Sequence, residues 1–166
     1  GRVRTVCGLV ESGPEGRKTV RQFASGAALA CLCAAGAAQA FDIVKDGRSD
    51  CVIAVVPDAS PSEEFAAEEL QVHLAEMSGA TLKIEKTASP PARAIVLGMA
   101  AEKVDPSLGD DGYVIRTEGS RLFISGGKKR GTLYGVYTFL ESLGVRWWTP
   151  AEKYVPKKKT VSVSSL

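Results

Sequence analysis

Residues 51–79 read Cys51-Val-Ile-Ala-Val-Val-Pro-Asp-Ala-Ser-Pro-Ser-Glu-Glu-Phe-Ala-Ala-Glu-Glu-Leu-Gln-Val-His-Leu-Ala-Glu-Met-Ser-Gly79. The first six are a short apolar run ended by Pro57-Asp58, the pattern of a buried strand. A helix is expected to follow. Ser60 or Ser62 is its cap, Pro61 suits the first turn, and Glu63-Glu64 lie near the positive end of the helix dipole. Ala66, Ala67, Leu70, Leu74 and Met77 recur at three- and four-residue spacing, and Gly79 supplies the stop. A buried strand running straight into an amphipathic helix is the opening of an α/β layer.

The pattern continues toward the C-terminus. Thr81–Glu85 alternates as a half-buried strand, Ser89-Pro90-Pro91 makes a loop, and Ala94–Gly98 is a second buried strand. Past a loop with Asp105-Pro106 and Asp110-Asp111, two strands at Gly112–Thr117 and Arg121–Ser125 are joined closely enough for a hairpin. Gly126-Gly127 turns the chain into a second helix, Gly131 to Leu143, closed by Gly144. Its apolar face is expected to carry Leu133, Val136, Tyr137 and Leu140. Strand-like pieces at Val145–Trp148 and Val161–Val163 follow, the latter preceded by Lys157-Lys158-Lys159. This order predicts an α+β domain of the two-layer α/β kind. Its mixed sheet has about five to six strands, with two helices on one face.

Toward the N-terminus the character changes. A basic segment (Arg17, Lys18, Arg21) leads into an uncharged, alanine-rich stretch that ends Ala38-Gln39-Ala40. Basic end, apolar core and small-x-small close are the pattern of a secretory signal peptide. Residues 17–40 are therefore expected to be a leader cleaved after Ala40, with residues 1–16 an unassigned upstream segment and 41–166 the exported domain. A lipoprotein alternative through Cys31 is weaker, because Ala28 stands where leucine is usual.

Charge and cysteine counts depend on that division. The 166 residues hold 21 Lys plus Arg against 19 Asp plus Glu and four cysteines. Setting aside five basic and two acidic residues before Phe41 leaves 16 and 17, a net charge of −1, and only Cys51 among the cysteines. A nearly neutral domain with one thiol predicts no internal disulfide, no thiolate zinc site and no nucleic-acid partner. No apolar stretch reaches the roughly 18 residues expected of a spanning helix, so no membrane association is expected once the leader is gone.

Few residues invite chemistry. His73 is the sole histidine and is expected to face solvent on the first helix, so neither a histidine metal site nor a Ser–His–Asp mechanism is implied. Glycoside cleavage needs two carboxyl groups facing each other across the sugar bond. The acidic pairs Glu63-Glu64, Glu68-Glu69 and Asp110-Asp111 are sequence neighbours that do not converge. The turn Gly126-Gly-Lys-Lys-Arg-Gly-Thr132 lacks the lysine a phosphate loop places after its last glycine. Lys128, Lys129 and Arg130 still put three cations at a helix start, suited to an anion, although a tight turn with solvated cations explains them as well. Trp147 and Trp148 adjoin in a strand, so one ring is expected in the core and the other toward a ligand or a neighbouring domain. These five residues are the candidate ligand or domain contacts. No catalytic residue, metal or cofactor is expected.

Phe65–Ala80, Ile95–Gly98 and Asp111–Ile115, and above all Lys129-Arg-Gly-Thr-Leu-Tyr-Gly-Val-Tyr-Thr-Phe-Leu-Glu-Ser-Leu-Gly-Val-Arg-Trp-Trp-Thr-Pro150, resemble the N-terminal domain of α-glucuronidases of glycoside hydrolase family 67. The stretch also resembles the second domain of β-hexosaminidases and N-terminal domains of exported bacterial carbohydrate enzymes of unknown function. The resemblance implies an α+β accessory domain beside a catalytic barrel that supplies the acid and the nucleophile or base, while the expected cleaved leader makes the domain secreted or periplasmic. Such a barrel takes about 250 residues, more than this chain holds. The expected function is thus a non-catalytic domain of a polysaccharide-degrading glycoside hydrolase, with that barrel as partner. The alternative is a stand-alone carbohydrate-binding module using exposed aromatics and the basic turn.

Overall fold

The computed structural model describes residues 41–98, 108–127, 129–149 and 151–164; the expected leader, its cleavage point at Ala40, and Lys128 lie outside them. The elements in chain order are β1 (Phe41–Val44), β2 (Val52–Val55), α1 (Pro61–Ser78), β3 (Lys83–Lys86), β4 (Ala94–Leu97), β5 (Tyr113–Glu118) and β6 (Arg121–Gly126). They continue with α2 (Gly131–Ser142), β7 (Arg146–Thr149), β8 (Glu152–Tyr154) and β9 (Val161–Val163).

Five strands form the main sheet in the order β3-β2-β4-β6-β5. The first four run parallel, and β5 pairs antiparallel with β6 across the two-residue turn Gly119-Ser120. Both helices cover one face. Ile53, Val55, Ile95, Leu97, Leu122 and Ile124 share one core with Leu70, Leu74, Val136 and Leu140, whereas the opposite-facing Ala54, Ala94 and Val96 cluster separately with Phe123. This is the α+β arrangement expected from the sequence. Each fully buried Leu or Ile in it contributes about 1.5–3 kcal/mol.

α1 begins on a capping box, and Ser60 rather than Ser62 is the cap. The Ser60 hydroxyl accepts the Glu63 N–H at 3.3 Å, while the Glu63 carboxylate accepts the Ser60 N–H at 2.8 Å. Gly79 ends the helix at φ 81°, left-handed backbone that favours glycine. Neither helix has a basic residue in its last turn. Cations arrive instead from later in the chain. Lys157 Nζ donates to the Glu76 carbonyl, Lys158 Nζ to that of Leu143, and Arg146 to that of Glu141, each at 2.7 Å. The lysine run thus satisfies carbonyls that helix ends leave unpaired.

Four expectations change. Strand β3 starts at Lys83, not Thr81, because its pairing with β2 begins at Val52 opposite Lys83; the Leu82 carbonyl just before it accepts the Gln71 side-chain amide at 2.6 Å. The Trp147-Trp148 strand does not join the main sheet; it pairs with β8, which the sequence had not suggested, in a separate hairpin. Val161–Val163 pairs antiparallel with β1, another strand missed in the sequence. The buried face of α2 centres on Thr132, Gly135, Val136, Phe139 and Leu140, leaving Leu133 and Tyr137 only part-buried.

The glycines before α2 have a packing reason. A Cβ on Gly126 would collide with the backbone of Gly131 and Thr132, one on Gly131 with the carbonyl oxygen of Gly112, and one on Gly127 with that of Gly109. Three backbone segments therefore meet where no side chain fits.

Candidate functional site

His73 shows how the surface is organised. It is buried, not solvent-facing, with 3% exposure. Position 73 is Leu70 plus three and Met77 minus four, so it falls in the apolar stripe of α1 that its polarity had seemed to exclude. Nδ1 lies 2.8 Å from the Glu69 carbonyl and so carries the proton, which leaves Nε2 to face the Lys153 ammonium at 3.5 Å. Trp147 then fills the groove between the helices. Its ring stands 5.5 Å from that of His73 on α1 and 5.2 Å from that of Tyr137 on α2, both edge to face.

Further polar contacts tie this region together. The Tyr137 hydroxyl donates to the Glu69 carboxylate at 3.0 Å, and burial, then that carboxylate, push the phenol up to about 12. Lys153 pairs with Glu76 at 2.9 Å, and its hydrogen bond lowers the Glu76 carboxyl below the usual range. Hairpin β7–β8 is thereby fixed to both helices through its inner face.

Its outer face is different. Trp148 is 64% exposed and Tyr154 51%, with ring centroids 6.3 Å apart and planes tilted by 35°. A bulge between Trp147 and Thr149 displaces Trp148 from regular pairing. Trp147 is therefore the inward ring and Trp148 the outward one.

The basic turn stands elsewhere. Lys129 pairs with Asp110 at 2.6 Å, and that hydrogen bond raises the lysine. Arg130 holds Asp111 through two contacts of 3.2 and 3.4 Å and lies over the Tyr134 ring. The domain's own carboxylates thus occupy the two described cations. Between this turn and Trp148 runs the whole of α2, a 12-residue helix of roughly 18 Å. The structure does not bring the two halves of the sequence-derived candidate together.

Other groups are engaged elsewhere. Glu63 serves the capping box and Glu64 pairs with Lys86. Cys51 is buried, and desolvation pushes its thiol up to about 11. Among the described residues no three His, Cys, Asp or Glu side chains gather to hold a metal ion, and no helix is long and apolar enough to cross a membrane.

Residues 45–139 match the family described as Glycosyl hydrolase family 67 N-terminus. Among solved structures, the chain is similar to a family GH115 4-O-methyl-α-glucuronidase with specificity for decorated arabinogalactans. That likeness has 19% identity and a TM-score of 0.54 over 75% of this chain and 17% of that one. It is also similar to a GH138 enzyme targeting pectin rhamnogalacturonan II, at 21% identity and a TM-score of 0.42, over 68% of this chain and 11% of that one. The first likeness is one of fold, and the chain spans 17% of that protein's length. No curated protein sequence matches the chain.

Proposed function

Because the chain belongs to the family of glycosyl hydrolase family 67 N-terminal domains, we propose that it is the non-catalytic accessory domain of an exported, polysaccharide-degrading glycoside hydrolase. In this proposal it packs beside a catalytic barrel that carries the acid and the nucleophile or base. The family match over residues 45–139 carries the reading. The carboxylates support it, since Glu63, Asp110 and Asp111 are engaged in capping or ion pairs rather than facing one another across a cleft. Assays of the 166-residue chain on glucuronoxylan and aryl-glycosides are expected to show no turnover. Turnover abolished by Glu69→Gln or Asp111→Asn would sink the proposal.

Export belongs to the same proposal. Residues 17–40 act as a leader, cleavage follows Ala40, and the domain works in the periplasm or outside the cell. N-terminal sequencing of material recovered from the exported fraction is expected to begin at Phe41.

A second reading, a carbohydrate-binding module, is favoured by the exposed Trp148–Tyr154 pair alone. Titration with neutral and acidic oligosaccharides tests it: heat or chemical-shift change at millimolar ligand, lost on Trp148→Ala, supports a module.

A further inference from the structure

Trp148 and Tyr154 are neighbours on the outer side of hairpin β7–β8, and each is more than half exposed. Their planes are tilted by 35° at a centroid distance of 6.3 Å, so neither ring closes over the other and face area stays open. The inner side of the same hairpin is fully committed. Trp147 sits between the rings of His73 and Tyr137, and Lys153, opposite Trp147 in the ladder, pairs with Glu76. The outer pair is thus positioned by contacts that it does not itself make. Rings positioned in advance take a ligand without the entropy cost of ordering them.

The extent of this aromatic surface decides between kinds of ligand. At ~150–250 Å² per large aromatic and the observed exposures, the pair leaves roughly 200 Å² in water. A standard protein interface takes about 800 Å² from each partner. The other exposed rings do not extend the patch: Phe65 and Tyr134 lie near the starts of α1 and α2, whereas the hairpin follows the end of α2 and meets α1 at His73 and Glu76. Two isolated rings are too little for a protein partner and enough for a sugar, whose apolar C–H face covers one ring at a time.

The charges around the rings narrow the ligand further. Both cations of the hairpin turn toward the helices. Lys153 is held by Glu76, and Arg146, cross-strand from Tyr154, donates through Nη1 to the Glu141 and Val145 carbonyls at 2.7 Å. Glu141 lies in the last turn of α2, where the negative end of the helix dipole balances the guanidinium. Glu152 is the remaining charge of the hairpin. It stands opposite Thr149, on the side of Trp148 and Tyr154 by strand alternation, and makes no ion pair among the described residues. An acidic ligand would meet this carboxylate with no free cation of the hairpin to offset it. Hydroxyl groups, in contrast, can donate to it.

Resting on the carbohydrate-binding reading above, we infer that Trp148 and Tyr154 form a stacking subsite for neutral oligosaccharides, with Glu152 accepting hydrogen bonds from sugar hydroxyls beside it. Pyranoses whose hydroxyls are mainly equatorial, such as xylose and glucose, present the C–H faces that fit these rings. Glu152 is the specificity residue, and it disfavours uronic acids.

Calorimetric titration of the 166-residue chain with xylohexaose, cellohexaose and hexagalacturonate at low salt tests this. At least one neutral chain is expected to bind, and Trp148→Ala and Tyr154→Ala each to weaken it on the order of tenfold. Hexagalacturonate is expected to bind at least tenfold more weakly than the neutral ligand, and Glu152→Gln to narrow that gap. Should a ring variant fail to fold, Glu152→Gln at an exposed position carries the test. Hexagalacturonate binding as tightly as the neutral chains, or a gap unmoved by Glu152→Gln, overturns the inference and leaves the module reading standing. So does neutral binding that survives both ring variants. No heat from any of the three ligands at millimolar concentration overturns both.

Discussion

The imidazole of His73 and the indole of Trp147 meet edge to face at 5.5 Å, so the one histidine of the chain fastens a hairpin to the first helix. Removing it removes more than a ring. His73→Ala opens a cavity beneath Trp147 and strips Lys153 of a neighbour. By analogy with other large-to-small buried substitutions it costs about 2–4 kcal/mol. Urea unfolding followed by tryptophan fluorescence reads the cost and a red shift as Trp147 meets water. A loss below about 0.5 kcal/mol, ordinary for surface sites, would mean that the ring is not buried.

Gly131 and Gly79 separate two reasons for glycine. Gly131→Ala drives a methyl group into the Gly112 carbonyl and is expected to cost about 3 kcal/mol, the upper range for overpacking. Gly79→Ala meets no atom within 4 Å, and only its left-handed backbone is penalised, at about 1–2 kcal/mol. Equal losses in paired thermal melts would contradict this assignment.

Tyr137 makes stability fall at high pH. Its phenol is raised to about 12 by burial and by the Glu69 carboxylate, from an ordinary value of 10.0. The folded state therefore favours the protonated phenol. That contribution is complete below pH 10 and disappears as pH rises through about 12. Tyr137→Phe is expected to lower stability at pH 8 but flatten its decline between pH 10 and 12, as denaturant titrations at each pH would show.

Cys51 should resist alkylation while the domain is folded. Burial lifts its thiol from 9.0 to about 11, so at pH 8 the thiolate is about a hundredfold scarcer than in the unfolded chain. Iodoacetamide labelling followed by mass spectrometry is expected to modify it only in denaturant. Rapid labelling of native protein at pH 8 would show that the strand is open.

The sequence carried the main sheet and both helices because each has a strong local signature. The apolar run before Pro57, the Ser60 cap with Glu63, and Gly119-Ser120 between two alternating strands all act within a few residues. β1 and β9 pair with each other from opposite ends of the domain, and β3 begins at Lys83 because its partner β2 begins at Val52. The same division runs through the candidate site. That one of two adjacent tryptophans would face outward follows from strand alternation. That Trp147 is the inward one depends on His73 and Tyr137, tens and ten residues away in the chain, and the pairing of Lys129 and Arg130 with Asp110 and Asp111 is likewise tertiary.

β1 and β9 pair although Asp42 and Ser162, joined side chain to side chain at 2.6 Å, lie 120 residues apart. A polypeptide emerging N-terminus first holds β1 without its mate until almost the entire domain has been delivered. The lysines that close both helices arrive in the same final stretch. Folding of this unit is therefore completed by its last dozen residues: an earlier truncation leaves an unpaired first strand and the Glu76 and Leu143 carbonyls at the two helix ends without their lysine donors, a nascent species suited to chaperone capture rather than to partial function.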